Sequence, residues 1–185
     1  MAVRLKKQAP ISRIGASGLK LDTKHFPQGR GMCGPACLKI VLAYFGVRKS
    51  ERVIATACNA TPASGTTGRN LAIGAERLGL RARIIDRASF PLMEKWLRRG
   101  VPVIVDWMST VTSDPTRESM ACGHYSVVYG LNRRDIFLQD PAVGQRRISR
   151  DRFLAVWFDF QDVFPQHTRD LLIRRLIVAA PANFF

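Results

Sequence analysis

The stretch QGRGMCGPACLKIVLAYFG, residues 28–46, decides how the rest of the chain is read. From Pro35 to Phe45 it is apolar nearly all round, with Lys39 as its only charge, and Gly46 follows as a stop. Proline in the first turn and glycine just past the last are what helix ends favour. A helix with no polar face belongs inside its domain. Cys33 stands at the threshold of this helix, where unpaired N–H groups and the positive end of the dipole favour thiolate over thiol. Most isolated cysteines are small buried core residues, and Cys37, Cys58 and Cys122 are read that way. Cys33 is set apart by its place.

Downstream, the pattern predicts a helix from Ser50 to about Cys58 with Ser50 as N-cap, and another from Thr67 to Leu78 ended by Gly79. Residues 81–86 (RARIID) read as a strand, 89–100 as a helix between a Ser89 cap and a Gly100 stop, and 101–107 (VPVIVDW) as a buried strand. A long polar loop is expected over 108–122, of the kind that serves as a lid or binding loop. Then come strands at 123–131 (GHYSVVYGL), 135–140 (DIFLQD) and 145–149 (QRRIS), and a short helix over 150–158 capped by Ser149. Residues 170–180 supply a last element, read as a strand. Helices gather in the first half and antiparallel strands in the second, which argues for an α+β fold.

A chain of 185 residues has room for one domain with a real core. Its 46% apolar and 23% charged residues are the composition of a folded protein. There are 29 Lys and Arg against 14 Asp and Glu, a net charge of +15 that draws acidic or phosphate-rich surfaces. No basic run exceeds a doublet, as at Arg98-Arg99, Arg133-Arg134 and Arg146-Arg147, so the charge reads as a solvated surface rather than a nucleic-acid arm. The N-terminus lacks a signal-peptide core and no window reaches the length of a membrane span, so a cytoplasmic location is expected, delivery as an effector being left open. The cysteines are read as reduced thiols.

Of the three histidines, His124 opens an apolar strand and must find a polar partner. Asp140 ends the next apolar strand and is the candidate. Strand parity tests the pair: a two-residue turn at Arg133-Arg134 would put residue 140 opposite 127, on the wrong face. A three-residue loop, or an equivalent bulge, puts it opposite Ser126 and diagonal to His124, at about 7–8 Å between backbones. The odd loop or a bulge is therefore expected.

Gln28, CGPACL at 33–38, GHYSVVYG at 123–130, LQDP at 138–141 and ISRDRFLAVW at 148–157 together resemble the bacteriocin-processing, double-glycine-leader peptidases and their stand-alone bacterial relatives, papain-like cysteine peptidases. The resemblance implies a papain-like domain over 28–160, its helical first half carrying the nucleophile and its antiparallel sheet carrying His and Asp. Residues 1–27 are then an irregular or edge-forming lead-in, and 161–185 a C-terminal extension packed on the sheet. It also implies Cys33 as nucleophile, His124 as general base and acid, Asp140 as the group orienting His124, and Gln28 as oxyanion donor. In the family pattern the glutamine precedes the cysteine by six residues, and here the gap is five. The implied activity is thiol-dependent hydrolysis of a peptide bond after small residues such as a Gly-Gly leader end, with no metal or organic cofactor. The implied partner is a peptide or protein substrate, an acidic one being one reading of the basic surface; a chain without spans would act alone or beside a membrane transporter.

Three other readings stay open at this point. Deamidation or acyl transfer uses the same Cys-His-Asp chemistry, because all pass through one thioester. Cys33, Cys37, Cys122 and His124 are zinc ligands by type, although a Gly-Pro after Cys33 and a helix carrying Cys37 are unusual for such a site. A basic nucleic-acid or protein-binding module with a disused triad would use Tyr44, Trp107 and Trp157, but these lie in apolar periodic segments.

Overall fold

The computed structural model describes residues 11–14, 18–109, 122–161 and 170–185. The elements in chain order are β1 (Ile11–Ile14), β2 (Gly18–Leu21), α1 (Cys33–Tyr44), α2 (Glu51–Ala57), α3 (Gly68–Arg77), β3 (Arg81–Ile85), α4 (Phe90–Arg98), β4 (Val103–Ser109), β5 (Cys122–Leu131), β6 (Asp135–Asp140), β7 (Gly144–Ser149), α5 (Arg150–Val156), β8 (Phe158–Phe160), β9 (Leu171–Ile173) and β10 (Leu176–Ala180). Helices cluster in the first half, and the paired strands are antiparallel, which is the α+β arrangement expected. Of the long loop expected at 108–122, Met108 and Ser109 end β4 and Cys122 begins β5; residues 110–121 lie outside the described residues.

Local chemistry sets the helix starts. Ser50, Thr67, Ser89 and Ser149 each accept a hydrogen bond from the backbone N–H three residues on, at 3.4, 3.2, 3.4 and 3.3 Å, and so cap α2, α3, α4 and α5. The start of α1 is different: Met32 precedes it and no side chain caps it. The first-turn N–H groups of this buried helix are thus left to serve something other than an N-cap.

The main sheet runs in the order β1-β2-β5-β4-β10-β3, with β6 added to β5 and β7 to β6. β4 pairs with β5 from Cys122 to Val128, and β2 pairs with it at Gly130 and Leu131, while β6 runs along the other edge. Residues 11–14 and 18–21 of the lead-in are therefore strands at the margin of the sheet. Residues 176–180 pair with both β4 and β3 and form an interior strand of the sheet rather than an extension laid against it. The separate β8–β9 ribbon packs beside β4 and β5.

Between β6 and β5 the parity problem is solved by a bulge. Asn132 N–H donates to the Asp135 carbonyl at 3.0 Å, leaving a tight two-residue turn at Arg133-Arg134. That turn alone gives the wrong register. The pairing then shifts at Tyr129, between Val128 and Gly130, so that Gln139 stands opposite Val127 and Asp140 continues towards Ser126.

α1 is buried along most of its length, and its Lys39 ammonium lies over the Phe26 ring, 4.9 Å from the centroid. Elsewhere in the core, Phe153 is fully buried with its ring 5.6 Å from that of Trp107 and 5.2 Å from that of Trp157. Phe153→Ala is expected to cost about 3–5 kcal/mol in chemical denaturation, through lost burial and the cavity left behind. Truncation after Gln161 removes β10 and strips the interior edges of β4 and β3, and is expected to abolish cooperative thermal unfolding; a sharp transition in the truncated chain would show that β10 is dispensable.

Candidate active site

Cys33 is the first residue of α1 and is half-buried. The chain reaches it through a tight turn in which Met32 N–H donates to the Gly29 carbonyl at 3.0 Å and Gly31 is left-handed, with φ 68°. This turn closes the five-residue span from Gln28 to Cys33. The next position must be glycine for a different reason: a Cβ on Gly34 would collide with the Thr66 methyl and press on the Tyr125 ring at 3.3 Å. Without that side chain, β5 comes close enough for the Tyr125 N–H to favour the Cys33 thiolate, together with the N–H of Gly34.

His124 lies near the start of β5, opposite Trp107 of β4, and its ring meets the Trp107 ring edge-on with centroids 6.2 Å apart. His124 Nε2 donates to Asp140 Oδ1 at 2.9 Å, and the imidazole also hydrogen-bonds the Cys33 thiol. With Nε2 committed to Asp140, Nδ1 is the nitrogen left for the sulfur. Asp140 is fully buried. Its Oδ1 also accepts from Ala142 N–H at 2.9 Å, and its Oδ2 from Arg146 Nη1 at 3.1 Å. The carbonyl of Asp140 accepts from His25 Nε2 at 3.2 Å, and that of Pro141 from Gln28 N–H at 2.9 Å. The segment leading to Cys33 is thus laced to the end of β6, and half-buried Gln28 is fixed beside this corner through its backbone.

The charges follow from these contacts. Burial pushes the Cys33 thiol up, but the hydrogen bond and charge of His124, with the two backbone N–H groups, hold it below its ordinary value. Burial pulls His124 down, yet the hydrogen bonds to Asp140 and Cys33 raise its pKa to about 9. Burial pushes Asp140 up, and His124, Ala142 N–H and Arg146 overcome it and keep the carboxyl below the usual range. The arrangement can hold a thiolate–imidazolium pair at neutral pH. The remaining thiols differ: burial pushes Cys58 up to about 12 and Cys37 well above the ordinary value, whereas Cys122, expected in the core, is only partly buried. Among the described residues no three His, Cys, Asp or Glu side chains are gathered as metal ligands would be, so Cys33, Cys37, Cys122 and His124 do not form the zinc set their types allowed.

A second cluster was invisible in the sequence. Asp106 interrupts the apolar run of β4, Asp159 sits between two phenylalanines in β8, and the two carboxyls hydrogen-bond each other, with Tyr125 hydrogen-bonded to Asp106. Asp159 lies hard against Gly123, the residue before His124. Burial, then the charge of Asp159, hold the Asp106 carboxyl well above the usual range, and burial raises that of Asp159 against the pull of its hydrogen bonds to Asp106 and the Phe160 N–H, so the pair keeps a proton. The only sequence signal was a carboxylate inside an apolar strand.

An α+β chain that sets a half-buried cysteine at an open helix start against a histidine–aspartate pair on an antiparallel sheet is a papain-like cysteine peptidase. The model of the peptidase C39 family matches residues 23–161, and the chain belongs to that family. An uncharacterized protein of Methanothermobacter thermautotrophicus is 32% identical over 125 residues, spanning 68% of this chain and 75% of that one, and one of Methanothermobacter marburgensis is 34% identical over the same shares. The peptidase domain of Streptococcus ComA, a bi-functional ABC transporter involved in a quorum-sensing pathway, superposes with a TM-score of 0.62 at 26% identity, over 85% of this chain and 98% of that one. A double-glycine-motif protease from an AMS/PCAT transporter, solved with its leader peptide, shares the fold at 18% identity and a TM-score of 0.61, over 88% and 94% of the two chains. Among the described residues of this chain, no helix is long and apolar enough to cross a membrane.

The shared proton has a measurable consequence. The folded state keeps on Asp106 a proton that the unfolded chain loses above about pH 4, so this group costs stability increasingly as pH rises from there towards its raised folded pKa. Asp106→Asn keeps the shape and has no proton to lose. Urea denaturation is expected to show the variant gaining on the wild type between pH 5 and pH 8; parallel curves would mean that the pair holds no extra proton.

Proposed function

We propose that this peptidase cleaves a peptide chain after small residues, as at the Gly-Gly end of a leader peptide, with Cys33 as nucleophile, His124 as proton carrier and Asp140 as its orienting group. The observation that carries this reading is His124 held between buried Asp140 and a thiol at the uncapped start of α1. The Cys33 thiolate attacks the scissile carbonyl, and the carbonyl electrons move to its oxygen. N–H groups at the helix start, with the Gln28 amide as a further donor, steady that oxyanion; one well-aimed donor is worth about 3–4 kcal/mol. The imidazolium gives its proton to the departing amine, leaving a Cys33 thioester. His124 then takes a proton from water, which attacks the thioester and releases the acid. The leader-peptide protease with the same fold supports a leader as substrate class, and a transporter as the partner beside which the enzyme works.

The same thioester serves deamidation or acyl transfer, and mass spectrometry separates the reactions. Incubation of Gly-Gly leader peptides with the enzyme is expected to split the chain, and Cys33→Ala to abolish the split. A gain of about one mass unit at an intact glutamine would overturn peptidase action in favour of deamidation.

The ion pair gives the pH dependence its shape. Cys33 titrates below its ordinary value and His124 at about 9, so the thiolate–imidazolium pair and turnover with it are expected on a plateau between them. Iodoacetamide at mildly acidic pH is expected to label Cys33 ahead of the partly exposed Cys122, and Asp140→Asn to lower turnover by roughly three to four orders of magnitude while the fold survives. Cys122 labelled as fast as Cys33 would remove the basis for the proposed nucleophile.

A further inference from the structure

Arg146 stands out from the other basic residues of this chain. Its neighbour Arg147 points to solvent and meets Asp135 with 68% of its side chain exposed, whereas Arg146 is 26% exposed and meets a fully buried carboxylate. β7 pairs with β6 residue by residue, so alternation sends the two arginines to opposite faces of the ribbon. The guanidinium of Arg146 lies over the Trp107 ring, 5.2 Å from the centroid. That ring is itself pinned, since Trp107 Nε1 donates to Ser126 Oγ at 3.1 Å and Phe153 packs against it. The ring that supports Arg146 is therefore the ring that meets His124. Of the two Asp140 oxygens, Oδ1 is taken by His124 and Ala142 N–H, and Oδ2 by Arg146.

We propose that Arg146 is a positioning residue of the peptidase site: clamped between Trp107 and Asp140, it fixes the outer carboxylate oxygen and supplies the standing positive charge against which the His124 imidazolium forms. The inference rests on the peptidase reading above and adds to it a control on how readily His124 parts with its proton. Asp140 alone favours imidazolium so strongly that the proton is hard to pass to the leaving amine. A fixed cation on the far side of the carboxylate offsets that pull. Among the described residues, the charged and titratable groups around His124 are Cys33 from α1, Asp140 from β6, Arg146 from β7 and Asp159 from β8, with His25 reaching only the Asp140 carbonyl. Arg146 is the cation among them that is present at every working pH.

The test is an NMR titration of imidazole resonances in the wild type, Arg146→Met and Arg146→Lys, run beside hydrolysis of a Gly-Gly leader peptide and thermal melting. Methionine keeps the apolar stem on Trp107 and removes the charge; Arg146→Gln repeats the measurement if the methionine variant does not fold. The His124 titration is expected to move up by about half a unit to one unit in Arg146→Met. Turnover is expected to fall by roughly tenfold with KM unchanged. Arg146→Lys is expected to return the titration to its wild-type place and to recover only part of the rate, since an ammonium lacks the planar fork. A His124 titration that stays put or moves down in a folded Arg146→Met chain overturns the inference, whatever happens to stability. A wild type that leaves the peptide intact while the titration still moves up would sink the peptidase reading and leave the assignment of Arg146 standing.

Discussion

The hydrogen bond between His124 and Asp140 is the constraint around which this molecule is arranged. A carboxylate with no exposure to water loses several kcal/mol of hydration and survives as an anion only if its oxygens are otherwise satisfied. Here three donors come from three places: a ring on β5, a backbone N–H in the turn after β6, and a guanidinium on β7. Each needs the strands in one register. A slip of one residue between β5 and β6 would turn Asp140 to the other face and leave His124 without its partner.

That dependence explains a detail that otherwise reads as an irregularity. The tight turn at Arg133-Arg134 is the shortest way to join the two strands, and by itself it sets the wrong parity. The bulge at Tyr129 absorbs one residue and restores the face on which His124 and Asp140 meet. Bulges next to active sites re-aim side chains, and this one does so by counting. The helix side has a matching device. α1 begins without a side-chain cap, and Gly34 lets β5 approach its first turn, where the N–H groups of Gly34 and Tyr125 meet the Cys33 sulfur.

What the sequence disclosed and what it hid divide along physical lines. The caps Ser50, Ser89 and Ser149 act over three residues, so a local pattern is enough to find them. α1 showed itself by lacking a polar face, and His124 and Asp140 by being polar at the ends of apolar strands. The strands β1, β2 and β10 were harder. Two of them are four residues long, and β10 takes its place from β3 and β4, which lie far from it in the chain. The Asp106–Asp159 pair was hidden for the same reason: Asp106 stood out only as a carboxylate inside an apolar strand, and only the packing of β8 against β4 gives it Asp159 as a partner. The Arg146-Arg147 doublet looked like solvated charge, and strand alternation splits it into one residue that faces water and one that does not.

The buried charges also make a balance that no single residue displays. Thiolate, imidazolium, carboxylate and guanidinium alternate in sign along the line Cys33, His124, Asp140, Arg146, each linked to the next by a hydrogen bond. Such a row needs less help from water than any of its members alone, because each charge meets an opposite one at short range where the local dielectric is low. The two ends differ in what they can do. Arg146 cannot lose its proton, so that end of the row is fixed, while the Cys33 end is free to be neutralised by bonding to a substrate carbon. Once the sulfur has bonded to the scissile carbon and its charge has passed to the oxyanion, the remaining three charges sum to a surplus of positive charge around His124. The fold thereby turns the formation of one covalent bond into a push on the histidine proton, at the moment when a leaving amine needs it.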